Sequence, residues 1–170
     1  MVRRLAPPQA AEYRALMLDA YAAHPDAFTS SVEERAALPL EWWTSRLSQR
    51  EAPADVVFGA FDDARLAGAA GLSFESREKA RHKAHLFGMY VPLSCRGRGF
   101  GRALVDAALA YARSRDHVRI VQLTVTQGNA AAESLYRRCG FVAFGIEPYA
   151  VAVGDDYVSK VHMWRDLRSA

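Results

Sequence analysis

The chain has 170 residues, 51% of them hydrophobic and 24% charged, so it fits one domain over residues 1–170 with a real core and is not a disordered chain. Twenty-two Lys and Arg against nineteen Asp and Glu leave a net charge of only +3, which by itself suits a small anionic ligand as well as nucleic acid. No nucleic-acid partner is expected, since such a module would show a steep salt dependence of binding that a +3 domain should not. No run approaches the roughly 18 to 20 apolar residues of a membrane span, and MVRRLAPPQAAEYR lacks the apolar centre of a signal peptide, so a cytoplasmic protein without a membrane partner is expected.

Val2 to Ala6 reads as a short strand closed by Pro7 and Pro8. Leu16, Met17, Ala20 and Tyr21 then recur at helical spacing until His24 and Pro25 stop them. A second helical segment is predicted over Leu38 to Arg50, where Trp43 and Leu47 share a face and the Trp pair reads as core. VVFGAFDD and ARLAGAAGLSFES follow as a hairpin turning at Asp62 and Asp63. The basic stretch from Arg77 to Lys83 reads as a solvated loop.

His85 to Val91 is a third strand, in which Gly88 signals a bulge or a close backbone approach and which Pro92 ends. After RGRGFG, the residues Leu104, Val105, Ala108, Leu109 and Ala112 form the apolar face of a helix ending near Arg115. Val118 to Thr126 alternates as a strand. Ala130 to Arg138 is a helix between an N-capping Asn129 and a terminating Gly140. Phe141 to Ile146 and Tyr157 to Trp164 complete the strands of an α/β (α+β) layer structure.

Arg96-Gly97-Arg98-Gly99-Phe100-Gly101 connects the strand ending at Val91 to the following helix. Such a turn exposes backbone N–H groups at the positive end of a helix dipole, where phosphates bind, and Arg96, Arg98 and Arg102 add charge. A flexible basic turn is the competing reading. A P-loop would need Gly-Lys-Ser/Thr, and a dinucleotide fingerprint a third glycine where Arg102 or Leu104 stands, so neither nucleotide hydrolysis nor hydride transfer is indicated. Cys95 and Cys139 form no disulfide framework, and no spacing of Cys and His suggests zinc, so reduced thiols and no metal are expected.

Two segments together resemble the GNAT superfamily of N-acetyltransferases. Arg96, Gly99 and Gly101, preceded by Val91 and Pro92, match its acetyl-CoA motif, and Asn129, Leu135, Tyr136, Gly140 and Phe141 match its second half. The resemblance implies a mixed, mostly antiparallel central sheet with helices on both faces and splayed fourth and fifth strands. Acetyl-CoA, the acetyl donor, would lie in that gap. Its pantetheine would meet backbone near Met89 and Val91, its pyrophosphate would sit on Gly97, Arg98, Gly99, Phe100, Gly101 and Arg102, and Asn129 and Tyr136 would face the pantetheine and sulfur.

The resemblance also assigns roles. Tyr136, otherwise a packing tyrosine, becomes the general acid for the departing thiolate. The amine must lose a proton as well, since an alkylamine of pKa about 10.4 is neutral in roughly one molecule in 2500 at pH 7. Family members often carry a Glu on the fourth strand for this task. HLFGMYV has none. His85 is therefore the expected base, with Glu33, Glu34 and Glu147 as other candidates.

The expected reaction is direct transfer of the acetyl group to a primary amine of a small molecule or peptide, by a monomer or homodimer. A covalent acyl-enzyme would need an activated cysteine, and neither Cys95 nor Cys139 has a recognisable His partner. The alternatives are a protein-lysine or N-terminal acetyltransferase, a longer acyl donor, or a CoA-binding regulatory module without turnover.

Overall fold

The computed structural model describes residues 1–168. Its strands are β1 (Val2–Arg4), β2 (Asp55–Asp62), β3 (Arg65–Phe74), β4 (Lys83–Tyr90), β5 (Ile120–Thr126), β6 (Val142–Val153) and β7 (Asp156–Asp166). The helices are α1 (Ala10–Ala23), α2 (Val32–Ala36), α3 (Leu40–Ser45), α4 (Phe100–Arg113) and α5 (Ala130–Arg138). All seven strands join one sheet in the order β1-β2-β3-β4-β5-β7-β6. Every pairing is antiparallel except that of β4 with β5.

Strand alternation gives the sheet two apolar faces. On β2, Val56, Phe58 and Ala60 join a core with Leu104, Val105, Ala108 and Leu109 of α4, whereas Val57 turns to the opposite core beside Tyr13 and Met17 of α1 and Trp43 of α3. The mixed sheet with helices on both faces is thus present. Trp43 and Leu47 share the buried side of their segment, each 1% exposed.

The segment predicted as one helix from Leu38 to Arg50 is shorter, and a further helix precedes it. Ser31 accepts from the Glu34 amide while the Glu34 carboxylate accepts from the Ser31 amide, a reciprocal cap that starts α2. Pro39 then separates α2 from α3. The basic stretch contains a short 3-10 turn at Glu78–Ala80. β6 runs past the predicted end at Ile146 because its register shifts between Glu147 and Val151 and absorbs Pro148.

The feature that shapes the site is the divergence of β4 from β5. Only Lys83, Ala84 and His85 pair with β5, opposite Ile120, Val121 and Gln122. Beyond them Gly88 takes a φ of 58°, a left-handed conformation that favours glycine, and the register with β3 shifts at this level. β5 continues against β7 as far as Thr126. The facing edges of residues 86–90 and 123–126 are left unpaired with each other.

Leu104 is fully buried in the core that backs this gap. Leu104→Ala is expected to lower stability by about 2–5 kcal/mol, read as a lower urea midpoint with an unchanged m-value.

Candidate active site

A cavity of about 390 Å³ opens at the gap. One end is lined by Gly88 and Met89 of β4, Thr124, Val125 and Thr126 of β5, and Asn129, Ala132 and Tyr136. The other end is a chamber beneath α1, α2 and α3, walled by Tyr21, Phe28, Trp42 and Phe87 and by Arg35 and Arg46. Trp42 and Trp43 both line the cavity, and only Trp43 is also fully buried core in the sense predicted for the pair.

The turn before α4 has the predicted geometry. Gly97 and Gly99 have φ of 76° and 81°, and a Cβ on either would meet nothing within 4 Å, so conformation and not crowding calls for glycine there. Gly99 is the N-cap and has no side chain to satisfy the first turn, so the amides of Phe100, Gly101 and Arg102 lack intrahelical partners. Gly101 serves packing instead: a Cβ there would lie 3.3 Å from Leu135 and 3.4 Å from Met89. Phe100 packs against the core beside α4.

The three arginines are engaged with protein groups. Arg96 Nε donates to the Val91 carbonyl at 3.0 Å, and its guanidinium lies 3.1 Å from His24 Nε2. Arg98 makes two bonds of 2.6 Å to Asp62, and Arg102 pairs with Asp106 at 2.8 Å. All are surface pairs that a phosphate can compete for.

Tyr136 lines the cavity, with its ring edge-on to Phe141 at 5.9 Å. Burial, reinforced by the nearby Cys139 thiol, pushes its phenol well above the ordinary value, so it stays protonated. Asn129 caps α5 by accepting from the Ala132 amide at 3.2 Å, which brings α5 to the cavity wall.

Lys160 of β7 is a buried cation at the cavity that the sequence reading did not single out. Its ammonium donates to the Ala27 carbonyl at 2.8 Å, Thr126 Oγ1 at 2.9 Å and the Asp26 carbonyl at 3.4 Å. Burial lowers its pKa, opposed by Asp26 and Glu147. These bonds fix the loop after α1 to the sheet and so hold Phe28 over the chamber.

The expected bases lie outside the cavity lining. His85 has a side chain 42% exposed and sits 3.9 Å from Glu75. Burial lowers its pKa, with Glu75 pulling the other way. Its cross-strand partner Ser73 does line the cavity. Glu34 is used in the α2 cap, Glu33 lies in the first turn of the same helix, and Glu147 is 2.8 Å from His162 on the far side of β5. Both cysteines are buried and free, outside the cavity lining.

The profile of the Acetyltransferase (GNAT) family matches residues 16–141. The chain belongs to that family of acetyltransferases. An uncharacterized N-acetyltransferase from Methanocaldococcus jannaschii is 39% identical over 66 residues, a match spanning 39% of this chain and 29% of that protein. The fold is similar to that of a GNAT-family acetyltransferase from Streptococcus pneumoniae, with TM-score 0.87, 24% identity and 98% of each chain covered. It is also similar to yncA of Salmonella typhimurium, solved with its cofactor acetyl-CoA, with TM-score 0.80, 18% identity, and coverage of 100% of this chain and 95% of that one. Among the described residues, no helix is long and apolar enough to cross a membrane, and no group of three or more His, Cys, Asp and Glu is placed to hold a metal ion.

Because the folded pKa of Tyr136 lies above that of an unfolded phenol, its contribution to stability is complete below about pH 10 and lost as the pH rises further. Ultraviolet titration should show no ionisation of this tyrosine at pH about 11, so wild type and Tyr136→Phe should show the same amplitude there.

Proposed function

We propose that the chain transfers an acetyl group from acetyl-CoA to a primary amine of a small molecule or peptide, by direct attack with both substrates bound. The observation that carries this reading is the continuity of one cavity from the unpaired strand edges, past Tyr136, into the chamber of α1, α2 and α3. The acetyl-CoA in yncA supports the choice of donor.

The residues present fit that donor. Unpaired backbone at residues 86–90 and 123–126 offers partners for the pantetheine amides. The uncapped turn at Gly99 offers N–H groups for the pyrophosphate. Acetyl-CoA supplies an acetyl group activated as a thioester.

The protein's own work is positioning and proton transfer. The Tyr136 phenol, kept protonated by its burial, donates a hydrogen bond to the sulfur as thiolate charge develops on it, and the amine proton leaves at the opposite side of the reacting carbon. His85 takes that proton through an intervening water, since Ser73 and not His85 forms the wall. A lowered pKa keeps this imidazole neutral, and so competent as a base, throughout the neutral range. The burial of both thiols, with that of Cys139 pushed up in pKa, supports direct transfer over an acyl-cysteine.

The first test is release of CoA thiol from acetyl-CoA with a panel of amines. Acetyl-CoA at about 100 times its Kd should add about 2.7 kcal/mol of stability, read as a higher Tm, whereas NAD should add little. Tyr136→Phe should bind acetyl-CoA nearly as well and lose about 10² to 10⁴ in turnover. Unchanged turnover, with chemistry rate-limiting, would return Tyr136 to a packing role.

His85→Ala should slow acceptors of high pKa most, and raising the pH should partly restore the rate. If the kcat/KM profiles of mutant and wild type differ only by a constant factor, His85 is not the base.

A further inference from the structure

The chamber is rich in hydrogen-bond donors and poor in acceptors. The guanidiniums of Arg35 and Arg46, the phenols of Tyr13 and Tyr21 and the indole of Trp43 belong to its wall, against one carboxylate, Asp55. Arg35 Nε and Trp43 Nε1 are buried without a hydrogen-bond partner, and Trp43 is only 1% exposed. With Asp55 its one carboxylate, a wall so weighted toward donors favours a ligand that brings acceptors from outside the chain.

The charges give the same answer. Arg35 of α2 lies 4.6 Å and Arg46, the residue that caps the end of α3, 4.5 Å from the centre of the Trp42 ring, which brings two like charges to one side chain. Among the described residues Arg35 has no ion-pair partner, and Asp55 stands 3.7 Å from Arg46. The two arginines and Asp55 leave one positive charge uncompensated. Lys160 adds to this excess from the same cavity wall, but its ammonium is already engaged by two loop carbonyls and Thr126, which leaves the arginines as the free donors.

We propose that the amine acceptor is a small amino carboxylate, such as a free amino acid, whose carboxylate is held by Arg35 and Arg46. This deepens, and rests on, the acetyl-transfer reading. A negative charge answers the positive excess, and a planar carboxylate matches the fork of a guanidinium. Tyr21, Phe28, Trp42 and Phe87 leave an apolar wall for the rest of the molecule. A peptide offering its terminal amine would place an uncharged amide where these arginines stand, which narrows the acceptor to the small molecule.

The experiment compares free amino acids with their primary amides, each supplied with acetyl-CoA while thiol release is followed. The amide keeps the amine and loses the charge. Losing the carboxylate also lowers the ammonium pKa, so intrinsic reactivity alone would favour the amide. The expected result is a kcat/KM for the acid at least about tenfold above that of its amide, which is the scale of one charged hydrogen bond. In Arg35→Gln that ratio should fall toward one, with a partial fall in Arg35→Lys, and a ratio is insensitive to how much of the variant folds.

Equal rates for acids and amides in wild type, with thiol released from both, would overturn the carboxylate site and leave acetyl transfer standing. A ratio unchanged in Arg35→Gln would do the same. No thiol release from any member of either set, while acetyl-CoA still raises the Tm, would overturn acetyl transfer to a small amine and this inference with it.

Discussion

The structure depends on two neighbouring parallel strands that stop pairing. β4 is held on its other side by β3 and β5 by β7, so each keeps a partner while the two part after only three positions. A parallel pair buried in a sheet would ordinarily continue, because an unpaired backbone edge is costly where water is excluded. Here the bulge at Gly88 turns β4 away, and the cost is tolerable because the cavity lies along the opened edge. The ends of both strands deliver the glycine turn and α5 to the same opening. A ligand that pairs with backbone can therefore be bound with few specialised side chains.

Burial and charge divide the cavity into two ends with different chemistry. Around Tyr136 the surroundings are apolar, and desolvation is the leading cause of its raised pKa. A phenol in such a place remains a donor at every physiological pH. The chamber beyond is walled by aromatic rings and guanidiniums, while Lys160 fastens the loop that closes it. Positioning in this protein thus comes from the framework at one end and from long side chains at the other, which suits a fixed donor and a selected acceptor.

Much of the framework was legible in the sequence because its signals are local. Asn129 and Gly140 bracket α5, and the predicted Ala130 to Arg138 agrees with the observed helix. Gly88 and Pro92 marked the weakened strand, and Gly97 and Gly99 marked a turn that is left-handed at both positions. The start of α2 was also written locally, as Ser31 followed by Glu34, but the reading passed over that cap.

The chamber was not legible. Arg35 comes from α2, Arg46 from the end cap of α3, Phe87 from β4 and Lys160 from β7, and nothing in their spacing brings them together. Trp42 and Trp43 are adjacent and both reach the cavity, and only packing separates the half-buried ring from the fully buried one. The proton acceptor was narrowed on chemistry alone. That chemistry pointed to His85, which the fold places on β4 next to the lining residues but outside the lining, opposite Ser73 of β3.

The parting of β4 and β5 as the seat of the donor is tested most directly by amide hydrogen exchange with and without acetyl-CoA. Without ligand, the amides of residues 86–90 and 123–126 that face the gap should exchange faster than their neighbours bonded to β3 and β7. Saturating acetyl-CoA should slow them together with the amides of residues 97–102. Protection confined to residues 97–102, with the strand edges unchanged, would show that the ligand is held at the turn alone and would contradict the account.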